Sequence, residues 1–364
     1  MTKYIHLFII ALCISSGLMA QSNVFYVGHS LVNHNMPRMV SEIAKSKGFT
    51  SHIYKEQIIN GSPLKNSWNN SQNGENSINF KTDYNSTFNT LVITEAVPLD
   101  NHLQWNQTQL YAHNFCKTAE NTNTNTQCYI YETWHCINSG TPTGCSYDAG
   151  GNIAWRKRLN TYLPKWESIA DSVEKRGMNK GIFVIPAGQA MANLYDSIQA
   201  GKIDGYTNIS EFFSDDIHPN DLGNYYVACV QFATIFKQSP VGALTNVKNQ
   251  YGVSYNIPHT NTALMKKLQE MAWNTVCNYA NSGVNCSVLT SISNSEVNIN
   301  SISPNPVKEI LQIASTNQKY EIYNLIGQKI VEGIIVDYKI NVMILPSGLY
   351  NLMINKQAVR FVKE

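Results

Sequence analysis

Five short apolar runs, separated by stretches with helical periodicity, constrain the fold of this 364-residue chain more than any other feature. The runs occupy residues 24–27, 53–58, 91–97, 128–134 and 182–186. Short runs that alternate with longer amphipathic segments are typical of parallel strands joined by helices. The sequence therefore predicts a mostly parallel sheet covered by helices on both faces, which is a three-layer α/β/α fold.

The segments between the runs have the spacing of apolar residues that helices require. A first helix is predicted by apolar residues at i, i+3, i+4 and i+7, followed by Gly48; these are Met36, Met39, Val40 and Ile43. A longer amphipathic segment spans 153–176, where Pro164 is expected to interrupt the helix. Two further helices are predicted at 220–236 and 262–280.

The first twenty residues have the pattern of a signal peptide. Lys3 precedes an apolar stretch at 7–14, and small residues at 17–20 provide a cleavage site, so the mature chain is expected to begin at Gln21. No later segment approaches about 20 continuous apolar residues. The sequence therefore predicts export and no membrane span in the mature protein.

Export affects the interpretation of the cysteines, because closely spaced pairs form disulfides in oxidising compartments. Three pairs are predicted: Cys116–Cys128, Cys136–Cys145 and Cys277–Cys286. Cys229 falls within an apolar helical pattern and is expected to be a buried free thiol. A metal site formed by His135, Cys136 and Cys145 is the alternative for that region.

Charge excludes one class of partner. The formal net charge is +2 without a basic block, which argues against nucleic-acid binding. Charged residues make up 14% of the chain, compared with about 25% in typical soluble domains.

Two distant fragments carry residues suited to nucleophilic catalysis. The first apolar run ends at Gly28-His29-Ser30-Leu31, and Asp215-Asp216-Ile217-His218-Pro219 precedes a helical segment. A serine hydroxyl is a weak nucleophile unless a base removes its proton and a third group orients that base. Ser30, His218 and Asp215 can fill these roles, and four other histidines compete for the role of the base. These are His29, His34, His52 and His135.

Residues 23–240 resemble the SGNH (GDSL-like) hydrolase superfamily through the serine after the first strand and the D-x-x-H-P motif, which Gly223 follows. The resemblance implies a flavodoxin-like fold, a Ser30–His218–Asp215 mechanism and no cofactor or metal. It also implies an oxyanion hole formed by the backbone N–H groups of Ser30 and Gly61.

The chain departs from that family where a G-x-N-D motif would supply a third oxyanion donor. The third run ends instead at Thr94-Glu95-Ala96. Glu95 is treated as a pocket residue that acts either through a protonated carboxyl or by accepting hydrogen bonds from backbone near the nucleophile. Trp134 and His135, at the end of the fourth run, are further pocket candidates.

The last sixty-four residues have a separate pattern. Ser303-Pro304-Asn305-Pro306 opens a series of short alternating strands, with a Y-N-x-x-G-Q turn at 323–328 and a P-x-G-x-Y strand at 346–350. This pattern resembles the C-terminal sorting domain of the type IX secretion system of Bacteroidetes. The predicted organisation is a hydrolase domain at 21–286, a Ser/Asn-rich linker at 287–300 and a small β-sandwich at 301–364. A β-sandwich used for adhesion or sugar binding is the alternative for the tail.

Together these observations predict a secreted or cell-surface serine esterase, exported via the periplasm. The SGNH resemblance and the secretion of the protein imply acetyl or other short acyl esters of carbohydrates as substrates. The expected partners are the type IX secretion machinery and a small-molecule or polysaccharide ester. Two alternatives stay open: a non-catalytic surface protein that binds carbohydrate on a hydrolase scaffold, and a lipase or thioesterase of the same superfamily.

Overall fold

The computed structural model describes residues 22–145, 148, 152–286, 302–313, 319–325, 328–354 and 357–364. The predicted signal peptide at 1–20 and the predicted linker at 287–300 lie outside the described residues. The chain divides into two compact units, 1–286 and 287–364.

The first unit contains a five-stranded sheet in the order β2-β1-β3-β4-β5. Its strands are β1 (Val24–Gly28), β2 (Tyr54–Ile58), β3 (Thr90–Ile93), β4 (Gln127–Glu132) and β5 (Phe183–Pro186). All neighbouring pairs are parallel, and Val24 is paired with both Tyr54 and Thr90. This is a flavodoxin-like order, in which ligands bind beyond the carboxyl ends of the strands where the chain reverses direction. The predicted parallel sheet is confirmed.

Nine described helices accompany this sheet. They are α1 (Asn35–Ser46), α2 (Leu64–Asn69), α3 (Phe80–Asp83), α4 (Leu99–Trp105), α5 (Thr108–Thr122), α6 (Trp155–Glu174), α7 (Ala187–Gln199), α8 (Asp221–Phe236) and α9 (Thr262–Cys277). Among the described residues, none of the helices has the length and hydropathy needed to cross a bilayer.

Alternation along the strands divides the interior into two cores. Val24 and Tyr26 point to the face covered by α1, α7, α8 and α9. Phe25 and Val27 point to the opposite face, where α5 and α6 pack. Successive strand side chains point to opposite faces, so a sheet buried on both sides needs apolar residues at every position. The three-layer prediction is confirmed.

Helix α6 corrects one prediction, because it continues through Pro164 instead of stopping there. Proline removes one hydrogen bond to the carbonyl four residues earlier, which belongs to the exposed Asn160. Leu159, Tyr162 and Trp166 are buried on either side of the proline, and their packing keeps the helix continuous.

Two of the three predicted disulfides, Cys136–Cys145 and Cys277–Cys286, are confirmed, and Cys229 is a buried free thiol as predicted. The predicted Cys116–Cys128 bond is wrong, since both residues are buried free thiols. Cys116 lies in α5 rather than beside a polar loop, and the Cys128 sulfur lies 3.9 Å from the Cys116 carbonyl oxygen.

The second unit is a small β domain with its own core. Its strands are β6 (Ile310–Gln312), β7 (Lys319–Tyr323), β8 (Lys329–Ile334), β9 (Lys339–Asn341), β10 (Gly348–Ile354) and β11 (Gln357–Lys363). A four-stranded antiparallel sheet has the order β11-β10-β7-β8, and β6 pairs with β9. Leu311, Ile322, Ile340, Leu352 and Phe361 are among its buried residues. The small C-terminal β domain is confirmed.

Candidate active site

Ser30 lies just beyond the end of β1, in a turn that begins at Gly28. A side chain at Gly28 would clash with Val32, so glycine allows the chain to turn back closely at this point. The carbonyl of His29 accepts hydrogen bonds from the N–H groups of Val32 and Asn33, at 2.8 and 3.0 Å. The turn presents a half-buried Ser30 at the carboxyl edge of the sheet.

Asp215 and His218 form a hydrogen-bonded pair in the loop before α8. The distance from His218 Nδ1 to Asp215 Oδ2 is 2.7 Å. Asp215 Oδ1 also accepts the backbone N–H groups of Ile217 and His218, at 2.8 and 2.7 Å. Partial burial acts to raise the pKa of Asp215, but the donors from His218 and Ile217 outweigh it and lower that pKa. A carboxylate that accepts the Nδ1 proton leaves Nε2 of the imidazole free to accept another proton.

Ser30 and His218 line the same cleft, whose volume is about 860 Å³. Within the described residues the Ser30 hydroxyl makes no hydrogen bond to the imidazole. Catalytic hydrogen bonds are often long without substrate and tighten in the complex. Six amide side chains also line the cleft: Asn33, Asn35, Asn60, Asn220, Asn224 and Asn256.

The turns after β1 and β2 each contain a backbone N–H group without a described acceptor, at Ser30 and at Gly61. Gly61 has a φ of +64° in the turn after β2, a conformation that favours glycine, and no atom lies near the position of a Cβ. Asn60, its neighbour, lines the cleft.

Glu95 is fully buried and does not line the cleft, so it is placed as internal support rather than as a pocket residue. Its Oε1 accepts the backbone N–H groups of Leu64, at 3.1 Å, and Ala96, at 2.8 Å. Burial raises the pKa of Glu95 to about 7, and these N–H donors limit the increase. Through Leu64, the carboxyl holds the segment that follows Gly61.

Trp134 and His135 are also buried rather than exposed to the cleft. The Trp134 indole N–H donates to the Ile217 carbonyl at 2.8 Å. The His135 ring packs edge-on against Tyr162, with ring centroids 4.3 Å apart. Burial lowers the pKa of His135 to about 3. The metal site considered for this region is not available, because the Cys136 and Cys145 sulfurs are bonded to each other.

The other histidines are poorly suited to act as the base. His29 and His52 are buried, and burial lowers the pKa of each to about 4. His34 lines the cleft, but its ring nitrogens lie 3.1 Å from Glu56 Oε1 and 2.7 Å from Glu75 Oε2. Although burial acts to lower the pKa of His34, these carboxylates raise it, which favours an imidazolium that cannot accept a proton.

Several residues in and near the cleft were not predicted from sequence patterns. Glu56 and Glu75 belong to separate segments with no catalytic motif, and they meet His34 only in the folded chain. Tyr206 and the six amides lie in five loops and helix ends, where asparagine is common for conformational reasons. No signal in one sequence separates these from ordinary turn residues.

The comparisons with known proteins identify the C-terminal unit. Residues 301–364 match the family model described as "Secretion system C-terminal sorting domain". The predicted type IX sorting domain is confirmed, and the chain is a secreted or cell-surface protein. A search of curated protein sequences finds no significant match.

Several solved structures are similar to part of this chain. A GDSL-like lipase from Bacteroides thetaiotaomicron has 11% identity and a TM-score of 0.34, with 60% of this chain and 87% of that chain covered. A carbohydrate esterase family 3 protein from Talaromyces cellulolyticus has 11% identity and a TM-score of 0.38, covering 60% and 97%. Phospholipase A1 from Streptomyces albidoflavus has 9% identity and a TM-score of 0.33, covering 58% and 98%.

Proposed function

We propose that the first unit is a serine esterase in which Ser30 is the nucleophile, His218 the general base and Asp215 the residue that orients the base. The 2.7 Å contact between His218 Nδ1 and Asp215 Oδ2, on a cleft that also contains Ser30, carries this proposal. Nucleophile, base and orienting carboxylate are the parts that acyl transfer by a serine requires.

The proposed mechanism gives each of these groups one role. His218 Nε2 takes the proton as Ser30 Oγ attacks the ester carbonyl, and Asp215 stabilises the resulting imidazolium. The carbonyl oxygen becomes an oxyanion, to which the N–H groups of Ser30 and Gly61 donate; each such donor can contribute about 3 kcal/mol. The alcohol leaves with the proton from His218, and water activated by the same imidazole then releases the acid from Ser30.

The cleft favours a short acyl group on a neutral, hydroxyl-rich alcohol. Three of its amides, Asn35, Asn60 and Asn256, are exposed and can bind sugar hydroxyls, and Tyr206 adds an aromatic surface. No Lys or Arg occurs among its described lining residues, whereas Glu75, Glu211 and Asp221 do. Acidic walls disfavour anionic substrates and promote release of the product carboxylate by repulsion. The few apolar lining residues, among them Ile58 and Ile257, offer little surface for a long acyl chain.

A p-nitrophenyl ester series from acetyl to dodecanoyl, assayed with purified protein spanning residues 21–286, tests both parts of the proposal. We expect turnover to be highest for acetyl and to fall with chain length, and Ser30→Ala to abolish it without lowering Tm. A Ser30→Ala variant that retains most of the activity would remove the mechanism. Preference for long chains would favour a lipase or thioesterase, and sugar binding without turnover would favour the surface carbohydrate-binding protein.

A further inference from the structure

Contacts from the end of β4 hold the backbone between Asp215 and His218. The Trp134 indole N–H donates to the Ile217 carbonyl at 2.8 Å, and the Ile137 backbone N–H donates to the Asp216 carbonyl at 2.7 Å. The two accepting carbonyls belong to the only residues between the carboxylate and the imidazole. These contacts therefore restrain the stretch of chain that sets the orientation of His218.

The segment that donates these two hydrogen bonds is held in place by burial, ring packing and a disulfide. The Trp134 side chain is fully buried, and its ring lies edge-on to Phe213 with centroids 6.1 Å apart. Cys136 lies between the two donor residues and is bonded to Cys145, with its sulfur 3.4 Å from Asp216 Oδ2. We call Trp134, Cys136, Ile137 and Cys145 together the base-loop clamp.

The two accepting carbonyls lie in a loop whose catalytic side chains are partly exposed. The side chains of Asp215 and His218 are 52% and 39% exposed, so core packing holds neither of them. The loop is closed at its base by the Ser214 N–H, which donates to the His218 carbonyl at 2.8 Å. Its tip is then oriented by the Asp215 hydrogen bonds, by packing of the Ile217 side chain against the core and by the base-loop clamp.

We propose that the base-loop clamp is a positioning element for His218, and that the Cys136–Cys145 disulfide is required for the rate of hydrolysis rather than for folding. The proposal rests on the proposed function, since it assigns a role in orienting the base. A displacement of about 1 Å in a reacting group can cost about 100-fold in rate, so loss of the clamp affects kcat more than substrate binding.

Two variants test the proposal from opposite ends of the clamp, Trp134→Phe and the double variant Cys136→Ser/Cys145→Ser. Trp134→Phe keeps an aromatic ring but removes the N–H donor. The matched control is Cys277→Ser/Cys286→Ser, which removes a disulfide with the same sequence separation of 9 residues. We expect kcat to fall at least 10-fold in both clamp variants with KM within about 2-fold, and the control to keep the parental kcat.

A second readout does not depend on activity. In ¹⁵N-histidine-labelled protein, the Nδ1 proton of His218 reports its hydrogen bond to Asp215, and we expect this signal to shift or broaden in the clamp variants but not in the control. If the parent hydrolyses no ester, the proposed function fails while this signal still tests the clamp. Folded clamp variants with parental kcat and an unchanged His218 signal would overturn the proposal, as would an equal loss of kcat in the control. If Trp134→Phe does not fold, the kcat and the His218 signal of the double cysteine variant test the proposal.

Discussion

His29 Nε2 lies 3.1 Å from the carbonyl oxygen of Glu95, which connects the turn after β1 to the end of β3. On the other side of the ring, Nδ1 accepts the backbone N–H of Leu31 at 3.3 Å, so Nε2 carries the proton and donates it to Glu95. The residue before the proposed nucleophile therefore joins two of the loops that form the carboxyl edge of the sheet.

Replacement of His29 is expected to lower activity as well as stability. His29→Gln cannot reach both backbone groups, which leaves one of them buried without a partner at a cost of about 1–3 kcal/mol. The shift in the Ser30 turn should reduce kcat/KM about 10-fold or more. His52→Gln is the control, since His52 is equally buried and bonds to the Ser22 carbonyl. We expect it to lower Tm with kcat/KM unchanged, and an equal kcat/KM loss in both variants would contradict a local effect.

His218→Ala is expected to reduce kcat by about 10³-fold or more, because His218 is the proposed base and the other described histidine of the cleft, His34, bonds to Glu56 and Glu75. The effect should not add to that of Ser30→Ala, since both residues act as one unit. His135→Gln should retain the parental kcat per folded molecule, because its ring is buried away from the cleft. If His135→Gln were the inactivating change, the assignment of the base would be wrong.

The pH dependence of stability provides a test of the burial of Glu95. Its pKa is about 7 in the folded state against an ordinary value of 4.5, so its contribution to stability is complete below pH 4.5 and is lost as pH rises through 7. Glu95→Gln keeps an acceptor for Leu64 and Ala96 but does not ionise. Urea unfolding at pH 5 and pH 8 should show that the decrease in unfolding free energy between these pH values is smaller in Glu95→Gln by about 2 kcal/mol. Identical differences in both proteins would exclude a raised pKa.

Cysteine chemistry should distinguish the two disulfides from the three thiols. Non-reducing peptide mapping is expected to recover Cys136–Cys145 and Cys277–Cys286. The thiols of Cys116, Cys128 and Cys229 should resist alkylation in the folded protein, because all three are buried, and react after unfolding. Recovery of a Cys116–Cys128 peptide would show that the two sulfurs bond to each other.

Removal of residues 287–364 should leave hydrolysis unchanged per folded molecule. Every described residue that lines the proposed active-site cleft belongs to the first unit, and the second unit has a separate apolar core. The same truncation should prevent delivery to the cell surface, which fractionation of cells that express each form would reveal. A truncated protein that is folded but inactive on soluble esters would indicate that the tail contributes to substrate binding.

The sequence by itself determined the features that depend on local pattern. The alternation of apolar runs with helical segments predicted the parallel sheet. The D-x-x-H spacing predicted the pairing of Asp215 with His218, whose side chains lie 2.7 Å apart. A three-residue separation within one loop leaves few conformations, so Asp215 and His218 are close in any compact arrangement. The two confirmed disulfides, each spanning 9 residues, are local for the same reason.

Only the tertiary structure decided which distant side chains meet, because burial and direction depend on packing between elements rather than on neighbours in sequence. Cys116 and Cys128 satisfied the spacing rule, yet α5 and β4 turn their sulfurs into an apolar core without a bond. Trp134 is a pocket candidate by its position in the sequence, but the fold buries its ring and directs its N–H to Ile217, 83 residues away. Apolar packing supplies most of the free energy that selects such arrangements, and it is not directional, so the final partners of polar groups emerge only when the layers have assembled.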